Sequence, residues 1–228
     1  MITTVISSSP LAFFKLMGQE PMELFIHGGP IMWPILLTSF IGITVAIERA
    51  IFIIRAALAR QPQVIEAIYK RIETGDLAGA EGLAQKSQDP VAMAIHKALK
   101  APGQGMFSAF AREASAQIRK YQQGGAVLDT VITASPLLGL LGTVTGMMET
   151  FGALGTGDIS QAASKITGGV AEALIATMCG LGIAIFGLVP YNALNATIEG
   201  VKHDMADASN MLATHREKAA AKQEKVLA

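Results

Sequence analysis

The sequence predicts an all-α integral membrane protein, with three transmembrane helices and long cytoplasmic helical extensions. Two observations carry this. The 228 residues are 51% hydrophobic and only 16% charged, with a mean hydropathy of +0.42, too apolar for an ordinary water-soluble domain. The apolar residues are also gathered into three runs rather than spread, and each run is long enough to cross about 30 Å of hydrocarbon.

The N-terminal segment 1–27 has no basic start, and its "PLAFF" is too short for the apolar core of a cleaved leader, so it is read as mature and periplasmic. Within it "SPLAFFKLMGQEPMELF" (9–25) has the pattern of an amphipathic helix on the membrane surface. The first span, assigned to 28–54, opens with "GGPIMWPILLTSFIGITVAI" (28–47), free of charge. Pro30 and Pro34 fall in its opening turns, where a missing amide donor matters least, and Trp33 fits an interfacial anchor. Glu48 and Arg49 then read as its interfacial boundary.

Within the cytoplasmic segment 55–124, residues 62–104 carry helical periodicity broken at Gly75, Asp89-Pro90 and Pro102-Gly103, which predicts three or four short helices, too small for an enzyme domain with its own core. From Met106 the pattern runs into the second span (125–150) without a proline, and a loop (151–165) leads to the third (166–190). The remainder, 191–228, reads as a helix that continues the third span and ends in a charged, Ala-rich tail. Basic residues set the orientation. Ten Lys and Arg lie in 55–124, whereas 149–165 holds only Lys165. The long segment is therefore expected in the cytoplasm with the C-terminus, and the N-terminus outside.

Several function classes fall away. A net charge of zero and a pI near 6.9 give no nucleic-acid footprint. The single cysteine, Cys179, forms no intrachain disulfide, and the four histidines show no ligand spacing, so neither a metal nor a cofactor is expected. No second acid, Ser/His pair or histidine cluster accompanies Glu172, which argues against an intramembrane enzyme.

The spans themselves carry the informative residues. The second holds Gly139, Gly142 and Gly146 among threonines, and the third places Gly180 on a stripe with Ala173, Thr177 and Ala184. Small and hydroxylated side chains let helices approach closely in lipid, so these glycines are read as packing positions. Taken singly, the threonines are helix glue, Asp129 is a solvated or paired terminus residue, and Cys179 is filling. Glu172 is different, because an acid within a span is rare and costly unless it is neutral, paired or facing water. Counting the rise per residue puts Thr143 at the depth of Glu172 and Thr177 near the midplane, so neighbouring second and third spans would gather a carboxyl and hydroxyls inside the membrane.

"ASPLLGLLGTVTGMMETF" (134–151) followed by "GGVAEALIATMCGLGIAIFGLVPYN" (168–192) resembles the two signature helices of the MotA/TolQ/ExbB proton-channel family, and 28–49 is similar to the first span of its ExbB-type members. Three spans with an outside N-terminus resemble ExbB and TolQ rather than MotA, which has four. The resemblance implies an inner-membrane homopentamer around an ExbD- or TolR-like single-span partner with a membrane-embedded aspartate, driving TonB- or TolA-like periplasmic machinery. It places the family's pore-region threonine of G-T-V on Thr143, its glutamate of A-E-A-L on Glu172 and its threonine of A-T on Thr177. Thr145 departs from the tryptophan of many members, as Met178-Cys179 departs from small residues. A structural scaffold without ion conduction would explain the glycines and threonines but not Glu172.

The topology is testable by single cysteines at Lys86 and Asp158, with Cys179 replaced. A membrane-impermeant thiol reagent applied to spheroplasts should label position 158 and spare 86. The reverse pattern would overturn the orientation.

Overall fold

A computed structural model describes residues 25, 27–101, 105–154 and 159–227, and among them every regular element is helical. The elements are α1 (Met32–Ala59), α2 (Pro62–Glu73), α3 (Leu77–Lys86), α4 (Pro90–Lys100), α5 (Gly105–Gln122), α6 (Gly125–Leu154) and α7 (Ile159–Leu227). Three stretches are long and apolar enough to cross a membrane, Met32–Ala59, Gly105–Gly152 and Ile166–His215. Segment 9–25 lies outside the described residues except for Phe25, which meets Trp33 edge to face with ring centroids 5.1 Å apart.

Two boundaries differ from the sequence expectation. The helix leading into the second span is interrupted, because Gly124 adopts a φ of +75° between α5 and α6. That left-handed conformation ends a helix without steric cost only at glycine, and the Gly124-Gly125 pair supplies it where no proline does. The loop expected at 151–165 is largely helical, since α6 runs to Leu154 and α7 begins at Ile159. Beyond the third span α7 carries Pro190 within the helix and continues past it.

The chain forms two compact units. One comprises Met1–Glu48 and Gly124–Asn192, the other Arg49–Gln123 and Ala193–Ala228. In the first, α1 packs on α7 through Met32 and Ile35 against Ala176 and Cys179. Most other large apolar side chains of α1 face outward, among them Trp33, Phe40 and Ile47, as expected of a helix solvated by lipid.

In the second unit the short helices of 62–104 share a core with longer ones. Ile68 and Ile72 of α2, Ala80 and Ala84 of α3, and Val91, Ile95 and Ala98 of α4 are all buried. The missing apolar surface comes from α5 and from α7, where Leu194, Ile198, Val201, Met205, Ala208 and Leu212 are buried at alternating steps of four and three residues. That spacing averages 3.6, the helical repeat, and marks a continuous seam along one face of the helix. Arg49 also departs from expectation. It is 6% exposed, donates to the Lys120 carbonyl (3.3 Å) and lies 4.9 Å from the centre of the Phe52 ring, which offers a cation an electron-rich face.

Asp89 organises the turn between α3 and α4. Its carboxylate caps α4 by accepting from Val91 N (2.9 Å) and also accepts from Gln61 N (2.9 Å), while Ser87 Oγ accepts from Asp89 N (3.1 Å) and donates to Gln61 Oε1 (2.9 Å). Asp89 is 1% exposed and Val91 2%, so the Val91 amide has no water to turn to. Asp89→Ala should therefore cost about 2–4 kcal/mol, the sum of a lost cap and an orphaned buried amide. Asp89→Asn, which keeps one acceptor oxygen, should cost about half as much. Thermal unfolding in detergent checks both, and equal melting points for wild type and Asp89→Ala would refute the role.

Candidate functional site

In hydrocarbon there is no hydrophobic gain from bringing two apolar helices together, so contact depends on how closely their backbones approach. On α6 the residues Ser135, Gly139, Gly142, Gly146 and Thr150 are buried and recur at helical spacing; on α7 the matching set is Gly169, Ala173, Ala176 and Gly180. A side chain added at Gly139 would come within 2.9 Å of Thr177 Cα, and one at Gly146 within 2.9 Å of the Gly169 carbonyl. One at Gly180 would strike the Ser135 carbonyl, and one at Gly142 would meet Ala176 Cβ as well as Ile31 of the segment entering α1. The four glycines thus lie where α6 meets α7 in antiparallel register within a single chain.

The hydroxyls of these helices mostly fold back on their own carbonyls. Ser135 donates to Val131 O (2.6 Å), Thr143 to Leu140 O (2.7 Å) and Thr150 to Gly146 O (2.7 Å). Such bonds satisfy a hydroxyl that faces no water. Thr177 is different. Its Oγ1 crosses between helices to Gly139 O at 2.9 Å, an approach that the bare α-carbon of Gly139 permits.

Glu172 is half-buried on α7 with its carboxyl against Gly29, the residue that turns the chain into α1. At about 100° per residue, Glu172, Cys179 and Ile183 fall within about 40° of each other on the α7 face that meets α1, and Thr177 stands about 140° from Glu172. Thr143 is likewise about 100° round α6 from Gly142, the position that faces Ile31. Antiparallel pairing therefore puts both threonines on the flank turned away from α1, and Glu172 on the other. The contacts also set Gly146, not Thr143, level with Glu172, because Gly146 meets both Gly169 and Ala173. The expected gathering of carboxyl and hydroxyls at one depth does not occur within one chain.

Glu172 is also not the sole acid of the region. Glu149 stands near the end of the apolar stretch of α6. It lies seven residues beyond Gly142, hence on the same face of α6, a repeat that could have flagged it from sequence. Among the described residues no group of three or more His, Cys, Asp or Glu could hold a metal.

Three helices long and apolar enough to cross a membrane, two of them joined by glycine contacts and one bearing a half-buried acid, define an all-α integral membrane protein. Residues 86–207 match the MotA/TolQ/ExbB proton channel family, and the chain belongs to it. It is 33% identical over 198 residues to the biopolymer transport protein ExbB-like 1 of Synechocystis sp., a match covering 83% of this chain and 76% of that one. It is 32% identical to ExbB-like 3 of the same organism, over 74% and 82%. A shorter match, 42% over 34% of this chain and 33% of the relative, is to the Tol-Pal system protein TolQ of Haemophilus influenzae.

The glycine contacts predict unequal effects for two neighbouring substitutions. Gly180→Ala places a methyl on the α6 backbone and should cost about 1–3 kcal/mol through overpacking. Gly182→Ala, whose methyl would meet nothing within 4 Å, should be neutral or stabilise by up to about 1 kcal/mol through helix propensity. Melting points in detergent that fall equally for both would remove the packing role of Gly180.

Proposed function

We propose that this protein is the ExbB-like, multi-pass subunit of an inner-membrane motor that converts proton-motive force into mechanical work on outer-membrane transport. Its N-terminus would be periplasmic and its C-terminus cytoplasmic. The observation that carries the reading is Glu172: an ionisable group within the apolar stretch of α7, in a chain of a proton channel family. An acid at that depth is tolerated when it faces protein or a narrow hydrated path, and there it can accept and release protons. Each proton descending the membrane potential delivers about 2.3 kcal/mol per 100 mV.

In this reading the chain assembles as a homopentamer around an ExbD-like single-span partner whose own membrane acid is protonated and released in turn, and the work passes to a TonB-like protein. Glu172 exchanges protons. Thr143 and Thr177 line the path, while Gly139, Gly142, Gly146 and Gly180 hold its walls together. No enzymatic chemistry and no cofactor is assigned. A TolQ-like role in envelope integrity is the second reading, favoured by the match to TolQ.

Charge and shape can be separated at Glu172. Glu172→Gln, nearly isosteric, should leave the assembly intact but lower proton-motive-force-dependent uptake of a siderophore or vitamin on the order of tenfold, the rate factor of about 1.4 kcal/mol. Thr177→Val, losing its hydrogen bond to Gly139, should be milder, at about 1 kcal/mol, and Thr143→Val milder still. The assay uses cells lacking the native subunit, with assembly followed by native mass spectrometry. Full uptake with Glu172→Gln would leave Glu172 a polar packing residue.

A further inference from the structure

The start of α1 is held firmly. Met32 N donates to Gly29 O (3.1 Å) and Trp33 N to Pro30 O (3.3 Å), so the turn is tied to the first residues of the helix. Met32 and Ile35, both nearly buried, then fix that helix on Ala176 and Cys179 of α7. Gly29 itself has a φ of +70°, which glycine adopts freely.

The backbone conformation does not by itself demand the absence of a side chain, since asparagine also visits the left-handed region. The surroundings do. A Cβ at Gly29 would overlap the Glu172 carboxyl and lie 3.1 Å from its Cγ. The carboxyl rests in the space that a side chain at position 29 would fill, between the turn of Gly29 and the α7 backbone.

We propose that Gly29 is a positioning residue for Glu172: the space left by its missing side chain is the seat that holds the carboxyl in place. The inference rests on the reading of Glu172 as the proton-exchanging group. A seat formed by backbone restricts the directions in which the carboxyl can point, and proton exchange requires a defined donor–acceptor geometry. Glycine at position 29 is then a functional requirement in addition to a conformational one.

The test combines a rescue with a double-mutant cycle. Gly29→Ala should leave the complex assembled, lower proton flux in proteoliposomes on the order of tenfold and displace the pH midpoint of that flux. Glu172→Asp, one methylene shorter, should restore at least part of the flux in the Gly29→Ala background, although alone it lowers the flux. Gly75→Ala serves as the control for backbone strain, since Gly75 has a φ of +82° and open space around it. In the cycle, Gly29→Ala should lower the melting point less in a Glu172→Ala background than in wild type, because the seat is then vacant. Additive melting-point changes, or a flux and pH midpoint unchanged by Gly29→Ala while Glu172→Gln is inactive, would overturn the seat. Retained flux with Glu172→Gln would instead overturn the role of Glu172 itself.

Discussion

The membrane unit depends on the closeness with which α6 and α7 approach each other. Water gains nothing when two apolar helices meet inside a bilayer, so the contact draws on dispersion between backbones and on hydrogen bonds that span the gap. Gly139, Gly142, Gly146 and Gly180 remove the side chains that would hold the helices apart, and Thr177 reaches the Gly139 carbonyl across the space so opened. The same contact sorts the polar groups. By occupying one stripe on each helix, it leaves Thr143 and Thr177 on one flank and Glu172 on the other.

A division of labour between flanks follows. On the α1 side the polar element Glu172 is ionisable and is set against a backbone turn. On the opposite side the polar elements are hydroxyls. An ionisable group can store a proton, whereas a hydroxyl can only pass or orient one, so the two flanks have different capacities even though they belong to the same pair of helices.

Much of this was legible in the sequence. An uninterrupted run such as 28–47 has one stable solution in lipid, and Gly142 and Gly146 at a four-residue spacing announce a close contact. Glu172 stood out because a charge is conspicuous in an apolar run. What stayed hidden depends on residues far apart in the chain. Gly29 reads locally as a turn glycine before Pro30, and nothing near it points to position 172. The buried face of α7 beyond Leu194 is diluted by Glu199, Lys202 and Asp204 on the other faces, so its seam escapes a reading based on mean hydropathy. Arg49 looked like a boundary charge because a guanidinium is assumed to seek water, and its burial depends on the Lys120 carbonyl and the Phe52 ring. The break at Gly124 carried a signal in its glycine pair, which the absence of proline obscured.

The inward-turned hydroxyls have a consequence for wetting. When Thr143 donates to Leu140 O, what it offers its surroundings is mainly a methyl group. The carbonyl it touches belongs to the helix ladder, so a turn of the side chain about χ1 frees a donor without leaving the backbone bare. The same residue can therefore border a dry gap in one rotamer and a file of water in another. A helix face built from such threonines has an adjustable affinity for water, and a change of hydration along it requires neither a shift of the helix nor the burial of a charge.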